Sequence, residues 1–277
     1  MKYRKFLGIG WNISEVGLGC WAIGSEWGNV SEFDAIKVLK TAIDNGVNFF
    51  DTADVYGDGR SEKLIGEVLR SSSEKIYVAT KAGRRLNPHT SDGYTLKNIE
   101  KFIDRSLINL KTDCIDLLQL HCPPPEICNK KEIYEMMDSF VTKGKIKNYG
   151  VSVEKVSEAL DAIKFPNVRS IQIIFNIFRQ KPLEDFFSQA SKKNVGIIVR
   201  VPLASGLLTG KMNLSSSFPS NDHRNYNIKG ESFDIGETFS GVDFKKGLEA
   251  VNDLKSILPE NFSLSNFVTK YVKPCVV

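Results

Sequence analysis

Cysteine, histidine and long apolar runs are all scarce in this chain. Of its 277 residues five are cysteines and three are histidines. No C-x-x-C pair occurs among Cys20, Cys114, Cys122, Cys128 and Cys275, so a zinc site is not expected. No stretch reaches the ~18 consecutive apolar residues of a membrane span. The apolar stretch near the N-terminus is broken by Asn12, Ser14 and Glu15 and makes a poor signal peptide. A cytoplasmic protein with reduced thiols is the expectation. An excess of one charge is lacking too: 37 Lys and Arg against 33 Asp and Glu give +4, spread along the chain. That argues against nucleic acid as a partner. The 42% of hydrophobic and 25% of charged residues exclude wholesale disorder and provide for a large core. With no linker and no low-complexity tract, a single domain over 1–277 is expected.

What is present is an alternation. Short runs rich in Val, Ile and Phe stand at 47–50, 76–80, 115–120, 148–153, 170–175 and 196–201, too short for helices. An earlier candidate strand lies at 16–19. Between the runs, apolar residues recur three and four apart. Ser31 is the expected N-cap of a helix through Ala35, Leu39 and Ile43 that ends at Gly46. Further helices are expected over 61–70, 96–110, 133–141, 156–163, 183–190 and 263–272. Strand and helix repeat at ~30 residues, the size of a βα unit, which implies a parallel sheet. A doubly wound dinucleotide fold calls for G-x-G-x-x-G; here Gly57 and Gly59 are followed by Glu62 instead of the third glycine. The count of strands favours a (β/α)8 TIM barrel. Residues 204–242 show no convincing strand or helix and are rich in Ser, Asn, Asp and Gly. A loop of that length is expected to be a lid over the barrel's catalytic face.

Barrel enzymes carry their chemistry at the C-terminal ends of the strands. Asp51, Lys81, His121, Ser152, Asn176 and Arg200 stand there, and Tyr56 follows on the loop after Asp51. Any one of them alone is more readily a polar loop residue, about two to one; the set together is more than a core needs. Asp, Tyr, Lys and His are the parts of a proton-transfer unit. A free Tyr ionises near pH ~10. A Lys⁺ ~4 Å away at an effective dielectric of ~20 gives up to ~4 kcal/mol of attraction. Two pKa units need only ~2.7 kcal/mol, so Lys81 is expected to lower the Tyr56 pKa, with Asp51 holding Lys81 charged.

These residues sit in stretches that resemble the aldo-keto reductases over nearly the whole chain. The stretches are I-S-E-V-G-L-G-C-W-A-I-G (13–24), N-F-F-D-T-A-D-V-Y-G with S-E-K-L-I-G (48–66), V-A-T-K (78–81), D-L-L-Q-L-H (116–121), Y-G-V-S (149–152) and P-L-A-S-G-L-L-T-G-K (202–211). The resemblance implies a barrel closed at its bottom by an N-terminal β-hairpin. It also implies a nicotinamide cofactor, NADP(H) ahead of NAD(H), and reduction of an aldehyde or ketone of a small molecule. By the same resemblance Tyr56 is the general acid, Lys81 and Asp51 tune it, and His121 orients the carbonyl. Ser152 and Gln172 match the residues that bind the carboxamide. Gly19, Cys20 and Trp21, with Asp51, match those near the nicotinamide. Leu203, Ser205, Leu207 and Lys211 match the loop along the pyrophosphate, although Lys211 also reads as a solvated lysine.

Two features depart from the pattern. Arg200 occupies a position where many members stack an aromatic ring on the nicotinamide. Binding of an anionic substrate, pairing with an acidic residue of the lid, and a purely structural ion pair are equally open for it. The chain also stops at Val277, where such proteins continue through an eighth strand and a basic loop that holds the adenosine end of the cofactor. Pro274-Cys275-Val276-Val277 is at best a stub of that strand, so an incomplete eighth βα unit is expected. The open edges are a place for a second copy of the chain. A second functional reading follows, a barrel that binds a ligand or partner with little turnover. A third, isomerisation or elimination on a sugar-like substrate, has no residue selecting it. Cys122 and Cys128 are expected as loop thiols near the pocket mouth. Trp21, Phe218, Tyr226, Phe233 and Phe239 are candidates for an apolar wall.

Overall fold

The computed structural model describes residues 1–24, 27–260 and 262–272. An antiparallel hairpin of β1 (Tyr3–Lys5) and β2 (Asn12–Ser14) comes first. Seven strands follow: β3 (Leu18–Gly19), β4 (Phe49–Asp51), β5 (Tyr77–Ala82), β6 (Ile115–His121), β7 (Ile146–Ser152), β8 (Val168–Ile174) and β9 (Gly196–Arg200). They form one parallel sheet in chain order, nearly closed into a barrel. The eighth strand expected at 274–277 lies outside the described residues.

The helices form where the apolar spacing places them. In α1 (Glu32–Asp44) the Ser31 hydroxyl accepts from the Asp34 amide at 3.1 Å. The first turn thereby gains a partner for an otherwise orphan N–H. Helix α2 (Arg60–Arg70) buries Leu64, Ile65 and Val68. In α3 (Leu96–Leu110) the N-cap is Thr95, and Ile99 and Ile103 face the sheet fully buried. Helices α4 (Lys131–Thr142) and α5 (Val156–Ala162) continue the ring. The single helix expected at 183–190 is instead two, α6 (Lys181–Asp185) and α7 (Phe187–Lys192), broken at Phe186, which is fully buried. Each large apolar side chain fully buried in this layer contributes about 1.5–3 kcal/mol.

The hairpin plugs the N-terminal end of the barrel. Phe6 and Ile13 pack on Phe49, Ala79 and Leu117, and Trp11 stacks on Tyr77 at 4.3 Å. Gly196 is obligatory there, because a side-chain carbon would meet the Phe6 ring at 2.6 Å. With one end filled, only the C-terminal end of the strands is left for a site.

The lid is more ordered than its sequence indicates. It holds a short 3-10 segment at Ala204–Thr209, the one-turn helix α8 (His223–Tyr226), and 3-10 turns at Ile235–Glu237 and Phe239–Gly241. Aspartates cap two of them: Asp222 accepts from the Arg224 amide and Asp234 from the Gly236 amide. The lid also has its own core. Ala204, Leu207, Leu208 and Phe239 pack with Leu248 and Val251 of α9 (Phe244–Ser256) and with Leu264 and Val268 of α10 (Leu264–Val272). Pieces this short hold by capping and tertiary packing, because an isolated turn does not stand on its own propensity. Among the described residues no helix is long and apolar enough to cross a membrane.

Candidate active site

Strand alternation builds the site. On β6 Leu117, Gln119 and His121 share the face turned into the barrel, and Leu118 and Leu120 face the helices. In register, Gly19 lies beside Asp51, Lys81 beside Gln119, Ser152 beside Gln172 and Ile174 beside Arg200. The polar groups therefore converge at one end of the sheet.

Lys81 is their centre. It is 1% exposed, and its Nζ donates to Asp51 Oδ2 at 2.7 Å, to the Thr52 carbonyl at 2.7 Å and to the Tyr56 hydroxyl at 3.3 Å. The other Asp51 oxygen accepts from Gln172 Nε2 at 2.7 Å and Gln119 Nε2 at 3.2 Å. Ser152 Oγ donates to Gln172 Oε1 at 3.1 Å. The His121 ring lies edge-on to Tyr56 at 5.9 Å, and Trp21 stacks on Tyr56 at 5.9 Å. The loop carrying Tyr56 presses on the 22–24 turn. Gly57 has φ +58°, and a side chain there would collide with the Gly24 carbonyl. Asp51, Tyr56, Lys81 and His121, expected together from the sequence, are together.

The electrostatics correct one expectation. Burial raises the Tyr56 pKa, and the Lys81 charge opposes this without outweighing it, so the phenol is held above its ordinary value. Burial also works against the Lys81 charge, but Asp51 and Tyr56 outweigh it and hold the ammonium protonated. His121 is pushed well below the ordinary histidine value by burial and then by Lys81, Arg84 and Arg200. It is a neutral imidazole, and its buried Nδ1 has no hydrogen-bond partner among the described residues.

The other expected site residues divide. Ser152 and Gln172 are buried beside Asp51. Gly19 is open: a side-chain carbon built on it meets nothing within 4 Å. Trp21 lines the site, but the Cys20 thiol is turned away and 1% exposed, bonded to the Leu18 carbonyl, with burial and Asp51 keeping it protonated. Arg200 pairs with Glu237 of the lid and donates to the Val153 carbonyl at 2.9 Å. Of its three readings, the lid pairing is the one the structure displays. Ser205 ties the lid together: its hydroxyl donates to the Glu237 carbonyl at 2.6 Å and accepts from the Phe239 amide at 3.1 Å. The Leu207 side chain is fully buried in the lid core, with Leu203 against it; Lys211 is exposed. Asn176 is a structural residue, donating to the Val201 carbonyl and the Ser240 hydroxyl. Cys122 and Cys128 are buried free thiols, 6% and 0% exposed; Cys122 lies at the strand ends, 3.7 Å from Ser152 Oγ and 3.6 Å from Arg200.

The aromatic wall is real in part. Phe233 meets Trp21 edge-on at 5.6 Å, and Tyr226 packs on Phe233 at 6.1 Å. Phe218 and Phe239 pack on each other within the lid. His223, not foreseen, is fully buried between Trp21 at 4.7 Å and Trp27 at 4.5 Å. Gln119 was also missed. Its signal is a polar residue two before His121 within the run L-L-Q-L, which alternation puts on the same face as His121.

Comparison with known proteins places this geometry. The chain matches the model of the Aldo/keto reductase family over residues 15–274. It is 31% identical over 274 residues to the aldo-keto reductase YhdN of Bacillus subtilis, covering 96% of this chain and 78% of that one. It is 29% identical over 262 residues to the aldo-keto reductase yakc of Schizosaccharomyces pombe, whose name specifies NADP(+), covering 91% and 76%. Among solved structures, the glycerol dehydrogenase AKR11B4 from Gluconobacter oxydans superposes with a TM-score of 0.80 at 29% identity, covering 99% of this chain and 84% of that one.

Proposed function

Because the chain belongs to the aldo/keto reductase family and is an oxidoreductase of that family, we propose that it reduces an aldehyde or ketone of a small molecule with NADP(H), ahead of NAD(H), using Tyr56 as general acid. The observation that carries this reading is the Lys81 ammonium, set between the Asp51 carboxylate and the Tyr56 hydroxyl at 2.7 and 3.3 Å. The name of the yeast relative supports NADP(H).

The residues present fit a nicotinamide. Gly19 leaves open space in register with Asp51, and Ser152 and Gln172 offer a hydroxyl and an amide across the same barrel end. Such a cofactor supplies the hydride when bound. The protein's own part is protonic and positional. Tyr56 is kept a protonated acid by burial, and it delivers its proton to the carbonyl oxygen as that oxygen gains charge. Lys81 then faces the phenolate that forms and stabilises it, a preorganised charge that is itself buried. Asp51, held by two glutamine amides, keeps Lys81 in place. Neutral His121 is an uncharged hydrogen-bonding group for the carbonyl. Trp21 and Phe233 form an apolar wall, and the Arg200–Glu237 pair fastens the lid.

The test is direct. Purified protein is titrated with NADPH and with NADH by tryptophan fluorescence, and assayed on nitrobenzaldehyde. Saturable binding with NADPH favoured, and cofactor-dependent turnover, are the expected results. A folded protein that saturates with neither cofactor at millimolar concentration overturns the reading.

A further inference from the structure

Asp54 stands out among the buried groups that the chemistry above does not use. It lies two residues before Tyr56, it is 0% exposed, and neither carboxyl oxygen has a hydrogen-bond partner among the described residues. A buried carboxylate without partners is a costly group, and the usual relief is to keep its proton.

The charges around it make that relief specific. On α2, Glu62 is fully buried, with its two oxygens taken by Thr80 Oγ1 at 2.6 Å and Asn109 Nδ2 at 2.9 Å. After β5, Arg85 pairs with Asp58 at 2.7 Å, and from α3 Arg105 pairs with the same carboxylate at 2.8 Å. Both arginines donate to the Asp54 backbone carbonyl, at 3.3 and 3.1 Å, and not to its side chain. The Asp54 amide donates to the Lys81 carbonyl at 3.3 Å. Lys81 itself is committed to Asp51. The remaining titratable neighbour, Tyr94, keeps its proton because it is buried. Lys81 is thus taken by Asp51, and Arg85 and Arg105 by Asp58, while Glu62 is held by Thr80 and Asn109 with no ion-pair partner among the described residues. An ionised Asp54 would be a further buried carboxylate with no cation of its own.

We propose that Asp54 is held as the neutral acid and acts as a positioning residue. By staying uncharged it adds no second charge beside Glu62 and leaves both arginines gripping the backbone of the loop that presents Tyr56. Burial first, and the Glu62 charge next, push the Asp54 pKa up to about 8, against the pull of Arg85 and Arg105. Ionisation just above neutrality then adds a negative charge at the root of the loop, draws the arginines off the Asp54 carbonyl and releases Tyr56. The part of the proposal that concerns turnover rests on the reductase reading; the protonation state does not.

Three readouts on the full chain test it. With aspartate 13C-labelled at the carboxyl, one resonance is expected to titrate near pH 8 and to vanish in Asp54→Asn. A spectrum in which no aspartate titrates above pH ~6 overturns the proposal, and it needs only the unmodified protein. Stability is the second readout. An acid raised from ~3.9 when unfolded to about 8 when folded makes the folded state bind the extra proton. Wild type therefore loses up to tenfold in its folding constant per pH unit between those values, relative to Asp54→Asn or Asp54→Ser. Parallel pH dependences in wild type and variants overturn the proposal. The third is the alkaline limb of kcat/KM, expected near pH 8 and shifted upward in Asp54→Asn; an unmoved limb removes the positioning role. Absence of any turnover sinks the reductase reading, while the first two readouts still decide Asp54.

Discussion

The Asp51 carboxylate and the Lys81 ammonium are 2.7 Å apart, with Lys81 1% and Asp51 18% exposed. Asp51 comes from β4 and Lys81 from β5, and the same Lys81 nitrogen reaches Tyr56. In the proposed reaction, fold stability and acid chemistry therefore share one ion pair. Removing a single partner of a buried pair leaves an uncompensated charge, which costs about 3–5 kcal/mol.

Asp51→Asn is accordingly expected to lower stability by about 3 kcal/mol, reduced toward the low end because Asp51 is partly solvated and Lys81 keeps the Thr52 carbonyl. Urea denaturation at pH 7 measures this. Lys81→Met removes the charge that meets the phenolate, and kcat is expected to fall by about 10²–10⁴ with the cofactor affinity, read by fluorescence, changed far less.

His121 and His223 define the acid side. His121 is pushed well below its ordinary value, and burial lowers His223 to about 4 despite the opposing charge of Asp222. A histidine whose folded pKa is depressed stabilises fully above its unfolded value of ~6.5 and loses that contribution as pH falls below it. Stability is expected to decline from pH ~6.5 downward. In His223→Phe, which keeps a ring between Trp21 and Trp27, the decline between 6.5 and about 4 is expected to be shallower by up to tenfold in the folding constant per pH unit. Denaturation midpoints at pH 5 and 7 in both proteins check the difference.

The lid is fastened at Arg200–Glu237 and at Arg179–Asp234, the latter 3.1 Å long. Glu237→Gln removes one of these charged fastenings, whose side chains are only partly exposed. Amide hydrogen exchange across 205–240 is expected to quicken about tenfold, the equivalent of ~1.4 kcal/mol, with β5 to β7 unchanged. Uniform quickening of lid and barrel would mean that the pair supports the whole fold and not the lid.

Much of this was legible in the sequence wherever a local pattern decides the structure. Ser31 caps α1, and Leu96–Leu110 is a helix with the bounds its spacing predicts. Strand ends bearing Asp51, Lys81, His121 and Ser152 converge because parallel strands of a barrel all end on one side. What was not legible depends on tertiary neighbours. The turns of the lid are held by Asp222, Asp234 and a core shared with α9 and α10. Glu237 finds Arg200 only once the lid folds back. The attraction of Lys81 for a Tyr56 phenolate can be foreseen from charge alone. The larger opposing effect, burial of the phenol beneath Trp21, exists only in the folded protein.

In the proposed reaction Tyr56 gives the proton and Lys81 makes that transfer favourable. Tyr56→Phe keeps the ring against Trp21 and removes only the hydroxyl 3.3 Å from Lys81. Single-turnover oxidation of NADPH with nitrobenzaldehyde, wild type against Tyr56→Phe at pH 7, tests it most directly. Unchanged cofactor binding by fluorescence and a fall of about 10²–10⁴ in the rate of NADPH oxidation are the expected results. A variant that oxidises NADPH within tenfold of the wild-type rate would contradict the proposal.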